Sequence, residues 1–107
     1  MRPYFTDDEI AGLSPALVER LVEARKLAMT PFVITEGSAA GGPHVANTAH
    51  ARGLAVDLRC HDSVSRYKIV KAIFDSSFPR IGLYDRHLHL DTDPSLPQGV
   101  LWLGRSK

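Results

Sequence analysis

The sequence predicts an α+β fold, a small antiparallel β-sheet with helices packed on one face, and three observations carry that expectation. Residues 54–58 and His87–Asp91 alternate apolar and polar side chains at the period of a half-buried strand. Residues 15–28 and 63–75 instead repeat apolar side chains at the spacings of an amphipathic helix. Finally, Asp85-Arg86 is short enough to close a hairpin between residues 80–84 and 87–91. At 107 residues the chain is long enough for one modest core, so 1–107 is read as a single domain.

Taken in order, Thr6 followed by Asp7, Asp8 and Glu9 is an N-cap with acids in the first turn, opening a short helix that ends near Gly12. Ser14-Pro15 caps the next helix, with proline at its first position. Leu17, Val18, Leu21, Val22, Ala24, Leu27 and Ala28 form its apolar side, and the charges between them are read as a solvated face. Thr30-Pro31 stops that helix, and residues 32–35 are a short strand by their β-branched content. Residues 36–47 are a glycine- and alanine-rich loop, in which His44 is taken as a surface histidine. Ser38 lacks an activating base or nucleophile elbow around it and is not read as a nucleophile.

Asp62-Ser63 caps a third helix whose buried stripe is expected to be Val64, Tyr67, Ile69, Val70, Ile73 and Phe74, with Tyr67 and Phe74 as core aromatics. Pro79 breaks the chain before the hairpin, Pro94 and Pro97 mark a loop, and residues 100–103 are a last apolar segment. Trp102 in that segment is expected in the core or on a cleft wall.

Composition narrows the function classes. Apolar residues at 44% and charged residues at 23% are ordinary for a globular protein. A net charge of +1 gives no strong field, so nothing points to nucleic acid, although an acidic polymer such as a cell wall stays open. Cys60 is alone and cannot form an intrachain disulfide. The first residues carry Asp7, Asp8 and Glu9 and no apolar segment, so no secretory signal is read, and no run approaches a membrane span. A monomer made in the cytoplasm is expected, which would reach a wall by lysis, with a virion or by another export route.

The chemistry concentrates in two places. Between Asn47 and Leu58 a histidine, His50, and a carboxylate, Asp57, flank Gly53 in an otherwise apolar run. In His87-Leu88-His89-Leu90-Asp91, histidine and carboxylate alternate with leucine. Strand alternation puts Val56 and Leu58 on one face with Asp57 on the other, and Leu88 and Leu90 opposite His87, His89 and Asp91. Side chains on one strand face repeat every ~6.5–7 Å. His87 and His89 are therefore not expected to share an ion at the ~2.0–2.1 Å that zinc requires of nitrogen, so one is a ligand and the other a helper. These residues point to a mononuclear zinc hydrolase.

The first motif, Thr48, His50, Gly53, Ala55 and Asp57, and the second, His87, His89 and Asp91, resemble the zinc D,D-peptidases of the M15 type, in particular the small phage-lysin-like branch. The resemblance implies Zn²⁺ held by His50, Asp57 and His89, and a peptidoglycan stem or cross-bridge peptide as substrate. It places His87 beside the metal, either stabilising an oxyanion or carrying a proton to the leaving amine. Asp85 is then the base or an orienter of histidine, and Asp91 accepts from a histidine and fixes its tautomer. Arg52 and Arg86, with Thr48, are the expected substrate contacts. Two departures accompany the likeness. Members often carry Thr-Ser-Gly-Tyr-Arg where this chain has Thr35-Glu36-Gly37-Ser38-Ala39, and a Glu or Asp where Arg86 stands. The alternative from another class is a zinc-stabilised module that binds wall peptide without cutting it. A third reading is an enzyme acting on another amide.

Overall fold

A computed structural model describes residues 4–36 and 52–104. Thr6 opens α1 (Asp7–Ile10) with a reciprocal capping box, its hydroxyl accepting from the Glu9 amide while the Glu9 carboxylate accepts from the Thr6 amide. The Ser14 hydroxyl then accepts from the Leu17 amide at the head of α2 (Pro15–Ala28), with Pro15 at the first helical position. The remaining elements are β1 (Ile34–Glu36), β2 (Ala55–Arg59), α3 (Ser63–Asp75, capped by Asp62), β3 (Arg80–Leu83), β4 (His87–Asp91) and β5 (Val100–Leu103).

The strands form one sheet in the order β1-β2-β4-β3-β5, so the architecture is α+β as the sequence predicts. All pairings are antiparallel except that of β5, which returns alongside β3 in parallel. The hairpin of β3 and β4 forms as expected, and the Tyr84 amide donates to the His87 carbonyl at 3.0 Å to close it.

One face of the sheet is the core. Val56, Leu58, Ile81, Leu88 and Leu90 project there and are buried against Leu17, Leu21, Ala24 and Ala28 of α2 and Ile69, Ala72 and Ile73 of α3. Arg20, in the charged set of α2, has a structural task, donating to the carbonyls of Ser76 and Ser77 just past α3. The buried stripe of α3 differs from the expected one. Val64, Tyr67 and Phe74 are exposed, because Ile69, Ala72 and Ile73 define the helix side that meets the sheet and those three residues fall off it. Likewise β1 begins at Ile34, two residues later than the β-branched content of residues 32–35 implied, and Phe32 is buried in the core beside Phe5.

The backbone before β2 is held by a close approach. Gly53 has φ +74°, and a Cβ there would lie 2.2 Å from the Gly12 carbonyl oxygen. Its own carbonyl accepts from the Ser14 amide at 2.8 Å. The turn between α1 and α2 thus grips the chain just before the strand that carries Asp57.

Candidate functional site

The opposite face of the sheet carries the polar half of each alternating strand. Register decides what meets there, since Asp57 of β2 lies directly across from His89 of β4, and His89 directly across from Gly82 of β3. The His89 Nδ1 atom stands 3.2 Å from Asp57 Oδ1, and both side chains are 17% exposed. Its other nitrogen, Nε2, lies 2.7 Å from Asp91 Oδ2. His89 is thus strung between two carboxylates. Burial pulls its pKa down, but the hydrogen bonds and charges of Asp57 and Asp91 outweigh that and lift it to about 9.

Asp91 is buried and fully engaged. Its Oδ1 accepts from the Asp93 amide at 3.1 Å and lies 2.8 Å from Arg80 Nε, off the line of that N–H, so the arginine acts as a neighbouring charge. The Arg80 guanidinium also donates to the Pro97 carbonyl at 2.7 Å. Oδ2 is left to face His89, which ties the ring to β3 and to the loop after β4. Asp93 organises that loop, accepting from the amide and hydroxyl of Ser95 and pairing with Arg52. The bonds from Ser95, joined by the guanidinium charge, hold its carboxyl below the usual range.

An aromatic wall stands on one side. Trp102 of β5 lies directly across from Gly82, where a Cβ would be 2.7 Å from the indole. The missing side chain lets the ring settle against β3, 5.5 Å from the His89 ring centroid, with its N–H donating to the Tyr84 hydroxyl at 3.3 Å. Trp102 is accordingly half-buried on the polar face beside His89, outside the helix-side core. His87, at the far end of β4, stacks on Tyr84 with ring centroids 4.3 Å apart and planes 11° from parallel.

Of the expected site residues, Asp57, His89 and Asp91 are in direct contact, and His87 shares their face one alternation away. Asp85 and Arg86 lie exposed in the hairpin turn, where their carbonyls accept from Arg66 and from the Cys60 amide. Arg52 reaches Asp93. His50 and Thr48, with His44 and Ser38, lie outside the described residues. Sequence reasoning passed over Arg80, Asp93, Tyr84 and the pairing of Gly82 with Trp102. Arg80 had a signal, since counting back through the two-residue turn sets it opposite Asp91.

A four-coordinate zinc with bonds of ~2.0–2.1 Å separates neighbouring donors by ~3.3 Å. The 3.2 Å between His89 Nδ1 and Asp57 Oδ1 fits one edge of such a tetrahedron, as it also fits a hydrogen bond. Among the described residues no group of three or more histidine, cysteine or acidic side chains is placed to hold a metal ion, so these two alone would be an incomplete set. Comparison of the chain with protein-family models, with curated proteins and with solved structures finds no match.

Proposed function

We propose that this chain is a zinc-dependent metallopeptidase that hydrolyses amide bonds in peptidoglycan peptides, as a D,D-carboxypeptidase or endopeptidase. The observation that carries the reading is the opposition of Asp57 and His89 across β2 and β4, on the face the helices leave uncovered. A histidine and a carboxylate at donor spacing, backed by a buried acid on the far ring nitrogen, form the kind of arrangement that metal-ligating histidines use. The substrate class rests on the motif resemblance in the sequence.

In this reading Asp57 and His89 hold the ion together with His50. Bound there, zinc supplies a Lewis acid that activates water near neutral pH. Asp91 accepts from Nε2 and so keeps Nδ1 turned toward Asp57, while Arg80 fixes the carboxylate that does this. His87, its ring set by stacking on Tyr84, is the group for the oxyanion or for the proton delivered to the leaving amine. Asp85 is its acidic neighbour in the turn. Trp102 stands beside the His89 ring, and Arg86 and Thr48 are the groups for the peptide. Arg52, already paired with Asp93, would contribute charge to the same end.

Two measurements test this. Purified protein is assayed for bound zinc, and then for release of D-Ala or soluble muropeptides from purified wall. Both activities should vanish in His89→Ala and Asp57→Ala and with a chelator, while His87→Ala should keep the zinc and lose the hydrolysis. Hydrolysis that survives chelation and His89→Ala would refute the mechanism. Zinc bound at His89 with no cut substrate would favour the non-catalytic wall-binding module.

A further inference from the structure

The sheet ends on β5, and exposed apolar side chains gather around it, with Lys71 of α3, paired to Asp75, among them. Among the described residues no strand pairs with the outer edge of β5. Its helix-side residues are Leu101 and Leu103, 41% and 81% exposed, paired with Ile81 and Leu83 of β3. α3 stops short of covering them, and turns Val64, Tyr67 and Phe74 outward at 66%, 70% and 55% exposure. These are the residues expected in the core from the sequence. Two hollows join them to the strands: one of about 430 Å³ lined by Tyr67, Val70 and Leu83, and one of about 340 Å³ lined by Phe74, Ile81 and Leu101.

We infer that a second copy of this chain docks here, with β5 pairing antiparallel to its twin across a two-fold axis at Trp102. An axis there sets Leu101 of each copy opposite Leu103 of the other, so the strand is complementary to itself and the sheets join into one. The five exposed side chains amount to roughly 600 Å² of surface per copy at ordinary side-chain areas. That reaches the upper end of the ~300–600 Å² apolar patch a monomer shows, and approaches the ~800 Å² per partner of a standard interface. An exposed apolar edge strand without a charge of its own is a template for pairing, and β5 is Val100-Leu101-Trp102-Leu103. The net charge of +1 opposes the approach of two copies very little. The inference stands apart from the proposed chemistry and replaces the monomer expected from the sequence.

Sedimentation equilibrium of the full chain, from about 1 µM to about 100 µM, tests it, a range chosen to bracket a micromolar association. The mass should double across that range, and the emission of Trp102, the one tryptophan, should shift with the same midpoint. Leu103→Glu should weaken association at least tenfold while keeping the parent's circular dichroism and melting, since that side chain is exposed in the monomer. Val33→Glu, exposed just before β1 at the opposite edge of the sheet from β5, should leave association unchanged. A chain that stays monomeric throughout, leaving the face to some other partner, would overturn the inference, as would a dimer indifferent to Leu103→Glu.

Discussion

Replacing His89 by Gln in chelated protein should remove a stabilisation that depends on pH in a particular direction. The imidazole is held between Asp57 and Asp91, and its pKa in the folded chain is about 9, against about 6.5 for an ordinary histidine. Because the folded value lies above the unfolded one, the proton stabilises the fold. That contribution is fully present below about pH 6.5 and is lost as pH rises through about 9. At 1.36 kcal/mol per pH unit, the gap corresponds to about 3 kcal/mol. Urea denaturation of the parent and of His89→Gln, followed by far-UV circular dichroism with chelator at pH 6 and at pH 10, measures it. The stability difference between the two proteins should shrink by about 3 kcal/mol between those pH values. Lysine, tyrosine and thiol titrations cancel in that difference because both chains share them. A difference that stays flat, or grows with pH, would refute the account of His89 as a cation clasped by two acids. The same proton must leave before a metal can take Nδ1, so zinc uptake at pH 7 should release about one proton from this residue.

Two further outcomes follow from the packing. Gly82→Ala places a methyl group where the Trp102 indole lies, at 2.7–2.8 Å, and should displace the ring, shift its emission to the red and cost about 1–3 kcal/mol in urea melts. Unchanged emission and stability would mean that Trp102 does not sit against β3. Cys60 is buried, and burial pushes its thiol pKa up despite Arg66 nearby, so thiol reagents should modify it in native buffer far more slowly than after urea is added. Equal rates in the two conditions would contradict its burial.

Much of this fold was legible because two periods are distinct. Val56 to Leu58 and His87 to Asp91 alternate, and that alternation separates Val56, Leu58, Leu88 and Leu90 from Asp57, His89 and Asp91. The helix bounds were legible because Ser14-Pro15 and Asp62 are capping residues with apolar repeats behind them. The third helix was misjudged on one side. Hydrophobicity marks a side chain that can be buried, while the helix side that meets the sheet decides which one is, and Ile73 and Phe74 point about 100° apart round α3. The parallel return of β5 had no local signal, since a non-local pairing is written in neither strand's period. At the site, the motif spacing pointed to Asp57 and His89 but not to Arg80 or Asp93, whose partners are set by register and by the loop after β4.

The grip of Gly12 on Gly53 ties two stretches of chain some forty residues apart into one mechanical unit. Lengthening the corner ahead of α2 by a single residue would pull on the entry to β2 before it disturbed any leucine of the core. Alterations at the amino-terminal end should therefore be felt at Asp57, on the far side of the molecule's hydrophobic layer, as a change of aim more than as a loss of folding.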